Sequence, residues 1–137
     1  MKIMGLDYGN ARIGIAFSDL SEFLASPFST LKRTTLENDL KYFKNLIDTY
    51  NVKKVVIGLP LEMSGNEGSI SSQTKEFAKN LQDFCNVEII FQDERLSSVE
   101  AEELLKETIK SWQKRKELLD QTAASIILQA YLDRKGD

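Results

Sequence analysis

Histidine is absent from the 137-residue chain. Its absence removes most zinc sites, the serine and cysteine triads that depend on imidazole, and any histidine general base. Catalysis would have to use carboxylates, lysines, hydroxyls or a metal held by oxygen ligands. Cysteine occurs once, as Cys85, so no internal disulfide can form. Cys85 lies near the end of an amphipathic helical pattern, which predicts a buried thiol. No apolar run approaches the ~20 residues needed to cross a bilayer, and Met1-Lys2 leads straight into a strand-like run without a signal-like region. A cytoplasmic protein with no membrane partner is expected. Strong charge of either sign is also missing: the formal net charge of −3 gives no global attraction to nucleic acid. It does not exclude a local basic surface, because the field at a cleft depends on how charge is distributed.

Length suits one domain over residues 1–137, with a respectable core. Its organising stretch is Met4 to Gly14. The apolar run Ile3–Leu6 ends at Asp7, and Gly9 and Gly14 bracket a reversal into a second apolar run, Ile13–Phe17. This pattern reads as a β-hairpin with an acid at its tip, Gly9 supplying a sharp bend. Asp7 then sits at the carboxyl end of a strand, where open α/β sheets usually bind ligands and metals. Taken alone, Asp7 is read equally well as a residue that starts the turn.

Strands are expected over Lys2–Asp7 and Arg12–Asp19, with a third around Phe28–Lys32 that Pro27 can open. Thr34-Thr35-Leu36-Glu37 resembles a capping box, Thr34 capping and Glu37 returning the bond. The helix after it presents Leu36, Leu40, Phe43, Leu46, Ile47 and Tyr50 on one face. The β-branched run Lys53–Gly58 reads as the middle strand of the sheet, covered on both faces. A glycine-punctuated loop, Met63–Gly68, borders the strand end. A helix from about Ser71 to Phe84, with Phe77, Ala78, Leu81 and Phe84 inward, leads to a strand over Val87–Gln92, making a βαβ unit with parallel strands. Ser97-Ser98-Val99-Glu100 gives a second capping box, opening a helix with Val99, Ala101, Leu104 and Leu105 on its apolar positions. Lys110–Lys116 reads as a basic loop, and a last helix runs from about Glu117 to Arg134.

Asp120 lies on the same helical stripe as Ala123, Ala124 and Ile127, facing the sheet. A carboxylate there is expected to be salt-bridged, protonated or metal-bound; the alternative is an early-turn acid favoured by the helix dipole. Asp7, the Asp93-Glu94 pair and Asp120 thus form a candidate carboxylate cluster. Without histidine, such a cluster suits Mg²⁺ or Mn²⁺. Two such ions can activate water and stabilise the leaving oxygen in phosphodiester cleavage, which suggests a nuclease. Arg12, Arg95, Lys110, Lys114, Arg115 and Lys116 stand close to these acids in sequence and would grip flanking phosphates. Trp112 reads as packed on the core in preference to stacking on a base.

Gly5-Leu6-Asp7-Tyr8-Gly9, Arg12-Ile13-Gly14, Gly58-Leu59-Pro60, Asp93-Glu94-Arg95-Leu96, Asp120-Gln121-x-Ala123-Ala124 and Ile127-Leu128-Gln129-x-Tyr131-Leu132 together resemble the YqgF/RuvX family of pre-16S rRNA nucleases and Holliday-junction-resolvase homologues. The resemblance spans essentially the whole chain. It implies an α/β, ribonuclease H-like fold: a five-stranded mixed sheet, three antiparallel strands then two parallel, with helices on both faces. It also implies that Asp7, an acid of the Asp93-Glu94 pair, and Asp120 hold the metal. Glu94 is preferred because its longer side chain reaches further from a strand end. The implied substrate is the 5′ end of precursor 16S RNA, with a four-way DNA junction as the alternative. A resolvase should be a twofold dimer, and the sequence shows no exposed apolar stripe that demands one, so a monomer or weak homodimer is expected. Two readings compete: a phosphate-binding hairpin of the actin and sugar-kinase type, for which the chain leaves no room for a second domain, and a non-catalytic nucleic-acid-binding module.

Overall fold

Alternating apolar residues set the sheet. In the computed structural model, which describes residues 2–59, 69–93, 97–108 and 112–135, strands β1 (Lys2–Tyr8), β2 (Arg12–Ser18) and β3 (Ala25–Lys32) form an antiparallel meander. Helix α1 (Leu36–Thr49) leads to β4 (Val52–Leu59), which lies parallel to β1. Helix α2 (Ser69–Cys85) crosses to β5 (Glu88–Asp93), parallel to β4, and α3 (Ser97–Thr108) and α4 (Trp112–Lys135) follow. The strand order is β3-β2-β1-β4-β5. β1 is therefore the middle strand, where the apolar run of β4 had pointed to β4. That run reflects burial on both faces, which an internal strand beside the centre shares.

Period-two alternation divides the core into two layers. Met4, Leu6, Ile13, Ile15, Val55 and Ile57 face α1 and α2, packing on Phe43, Leu46, Phe77 and Leu81. Ile3, Ala16 and Val56 face α4, packing on Ala124, Ile127, Leu128, Tyr131 and Leu132. Cys85 is buried, and burial pushes its thiol pKa up. Among the described residues, no helix is long and apolar enough to cross a membrane.

Several local expectations shift. Thr35, not Thr34, caps α1, accepting from the Asn38 N–H at 3.1 Å. Glu37 pairs with Lys41 one turn on, and the Thr34 N–H goes to Asp39. Pro27 lies inside β3, tolerated because β3 is an edge strand and the pairing is irregular between Ile15 and Ala16. Gly9 needs its missing side chain for space: a Cβ would stand 2.7 Å from the Arg12 carbonyl oxygen. Phe84 and Leu104 are substantially exposed, while the buried stripes run to Cys85 and through Ala101 and Leu105. The expected basic loop is helical from Trp112 onward, so Lys114, Arg115 and Lys116 ride on the first turns of α4. Lysine, arginine and glutamine are good helix formers, so a polar run of them continues a helix as readily as it forms a loop.

Candidate nuclease site

Asp7 stands on β1 at the parity of Ile3 and Gly5, so its side chain belongs to the face covered by α4. Its cross-strand partner on β2 is Gly14. Opposed residues of an antiparallel pair point to the same face, so a side chain at position 14 would rise beside Asp7. Instead the backbone of α4 fills that place. A Cβ on Gly14 would lie 1.9 Å from the Asp120 carbonyl oxygen. Gly5 does the same one step along, where a Cβ would meet Leu128 Cβ at 2.7 Å. Ala123 and Ala124 are fully buried on the helix side of this contact. Small residues on both partners thus bring α4 down onto the end of β1 and β2, and Asp120 arrives over Gly14, next to Asp7.

The Asp120 carboxylate is salt-bridged, one of the three fates open to a sheet-facing acid. Arg12 Nε donates to its Oδ2 at 2.6 Å, with the two side chains 50% and 20% exposed. This hydrogen bond, with the attraction between the charges, raises the guanidinium pKa further. Arg12 opens β2 and lies two residues before Gly14, so it shares the face of the acids. Next to Asp120, Gln121 accepts from Thr30 of β3.

β5 distinguishes the two acids at its end. Asp93 shares parity with Ile89, which packs on the α1/α2 layer, and its partner in β4 is Leu59. Asp93 therefore lies on the face opposite Asp7. Gln92 is on the α4 face, with Ile90, and Gly58 stands between it and β1 in the row of paired residues. Gln92 Oε1 is buried and, among the described residues, has no hydrogen-bond partner. Glu94, Arg95, Lys110 and the Met63–Gly68 loop lie outside the described residues, as do the side chains of Trp112 and Lys116. Lys114 is exposed and Arg115 partly so.

Asp7 and Asp120 supply hard oxygen donors on one face, and the buried Gln92 Oε1 adds an uncommitted oxygen to that face. The donor chemistry fits a divalent cation that prefers oxygen. Among the described residues, no three acidic, cysteine or histidine side chains converge to complete such a site. The sequence left one acid unnoticed. Asp39, only 2% exposed on α1, holds Arg33 at 3.1 Å.

A five-stranded sheet in this order, three antiparallel strands then two parallel ones, defines the ribonuclease H-like class of fold. Solved structures share the fold. T. thermophilus RuvC in complex with Holliday junction substrate superposes with a TM-score of 0.63 at 14% identity, covering 99% of this chain and 96% of RuvC. Fowlpox virus resolvase, in a complex with Holliday junction DNA, gives 0.61 at 15% identity over 100% of both chains. Closer kinship is in sequence. The profile described as "RuvX: Holliday junction resolvase" matches residues 1–134. A Syntrophomonas wolfei protein named "Putative pre-16S rRNA nuclease" is 50% identical, covering 97% of this chain and 94% of its own length. A relative of the same name from Carboxydothermus hydrogenoformans is 43% identical, covering 99% of each chain. The chain belongs to the RuvX family.

Proposed function

We propose that this protein is a metal-dependent phosphodiesterase that processes the 5′ end of precursor 16S RNA in the cytoplasm, as a single domain, monomeric or weakly dimeric. The observation that carries it is the convergence of Asp7 and Asp120 on one face through the close contact of α4 with Gly14. Asp7, Asp120 and Glu94 are the proposed ligands of one or two Mg²⁺ or Mn²⁺ ions. Asp93 lies on the face of β5 opposite Asp7, which supports the choice of Glu94, with its longer side chain, from this pair. A bound divalent ion supplies Lewis-acid activation of water and charge stabilisation of the phosphodiester. Arg12 already reaches Asp120, and its half-exposed guanidinium is placed to receive a phosphate beside the acids. Lys114, Arg115 and Lys116 on the first turns of α4, with Arg95, form the proposed grip on flanking phosphates. The RNA assignment draws on the names of the relatives that match nearly the whole chain.

The resolvase reading has its own support in the family description and the shared fold. Parallel incubation of a precursor 16S fragment and a synthetic four-way DNA junction with Mg²⁺ or Mn²⁺ separates the two. Cleavage of the RNA at one defined 5′ position, with the junction intact, is expected. A cut junction beside intact RNA would transfer the assignment to DNA. Binding without cleavage of either would leave a nucleic-acid-binding module.

A further inference from the structure

On the other face of the same strand end lies a second feature, built around Tyr8. Tyr8 follows Asp7 and therefore points to the α1/α2 layer. Its ring packs on Phe77 of α2 with centroids 5.1 Å apart. The Arg33 guanidinium lies over both rings, 4.8 Å from the Tyr8 centroid and 5.4 Å from that of Phe77. Arg33 is locked there: Nε donates to the buried Asp39, and Nη1 donates to the Tyr8 hydroxyl at 2.6 Å and to the Gly9 carbonyl. Beside this platform opens a cavity of about 190 Å³, walled on the α2 side by Gln73, Glu76 and Asn80. Leu36, 43% exposed, completes its edge.

The chemistry of these walls selects a ligand class. Arg33 is already neutralised by Asp39, and Glu76 adds a negative charge, so a phosphate gains little. Among the described residues, Glu76 is the one carboxylate in the lining, too few oxygen charges for a metal ion. Planar aromatic and guanidinium groups beside two side-chain amides, each offering donors and an acceptor, suit a neutral planar heterocycle. Unpaired bases are held in this way, by stacking and by hydrogen bonds to their edges. We propose that the cavity is a subsite for one unpaired nucleobase of the strand whose phosphate lies at Asp7. This inference rests on the nuclease reading for the identity of the strand. Its geometry follows from β1, which turns Asp7 to one face and Tyr8 to the other at one sheet end. A base paired within a duplex cannot enter, so the subsite favours substrates with a single-stranded flank.

The test is equilibrium binding in EDTA, which removes cleavage from the readout. A fluorescein-labelled single-stranded RNA heptamer and a blunt RNA duplex are titrated with the wild type, Gln73→Ala and Asn80→Ala. Each substitution is on the α2 surface, and circular dichroism confirms folding. The expected result is single-strand binding weakened about fivefold by either change, as for loss of one hydrogen bond, with duplex binding unchanged. Unchanged single-strand affinity overturns the inference, as does no single-strand binding by the wild type, or equal loss on both probes. Loss of the nuclease reading shows separately, as absent metal-dependent cleavage with this binding pattern intact.

Discussion

On the α4 side, helix and sheet meet through Gly5, Gly14, Ala123 and Ala124; on the α1/α2 side they meet through Phe43, Phe77 and Tyr8. The first contact is so close that the backbone of Asp120 occupies the space of a missing Cβ. The second is spaced by rings and leaves a cavity at the same strand end. Small residues bring the backbone of Asp120 onto Gly14, the cross-strand partner of Asp7, with little freedom of position. Large residues build stability and leave room at the rim. The α4 face should therefore suffer from added atoms, and the α1/α2 face from removed ones.

The largest effect is expected at Phe43, fully buried among the rings. Phe43→Ala should cost about 3–5 kcal/mol in denaturant unfolding, while the folded fraction keeps its cleavage activity. Gly14→Ala should cost about 1–3 kcal/mol through overpacking and, unlike Phe43→Ala, should lower the activity of fully folded protein by moving Asp120. Equal specific activity in the two variants would erase the distinction between the faces. Arg12→Ala tests the charge that the close contact leaves at Asp120. The pair is too exposed to stabilise the fold by more than about 1 kcal/mol, so thermal unfolding should barely move. Removing the cation should tighten Mn²⁺ binding by up to roughly fivefold in calorimetry.

The smallest effect belongs to the far end of α4, where Lys135 hydrogen-bonds Glu22 and holds its carboxyl below the usual range. A lowered folded-state pKa contributes stability above the ordinary glutamate value, and that contribution is lost as pH falls through the lowered one. The melting difference between wild type and Glu22→Gln should be under about 1 kcal/mol at neutral pH and should vanish in acid.

The places of Asp7 and Asp120 in the fold were legible because each breaks an apolar periodicity at a definite point: a strand end in one case, a buried helical stripe in the other. The strands, βαβ unit and last helix follow from the same periodicities. The Arg33–Asp39 pair was not legible, because an acid in the first turn of a helix is ordinarily explained by the dipole, and only the fold shows it buried. Nor was the apolar tip between β2 and β3 visible. Leu20, Phe23 and Leu24 are 72%, 72% and 65% exposed. Asp19 holds this loop by accepting the Phe23 and Leu24 N–H groups, and Gln129 binds it to α4. In sequence, such residues are indistinguishable from core. The α4 start was misread because a run of lysine and arginine describes an exposed face as well as a loop.

The decisive measurement is metal-dependent cleavage by Asp7→Asn, Asp120→Asn, Glu94→Gln and Asp93→Asn, each checked for folding, on whichever substrate the wild type cuts. The first three should fall by about 10²–10³-fold, as expected for loss of several kcal/mol of charge stabilisation, and Asp93→Asn should cut like the wild type. Wild-type cleavage by Asp7→Asn would contradict the account at its centre, and an inactive Asp93→Asn beside an active Glu94→Gln would show that the face assignment at the end of β5 is wrong.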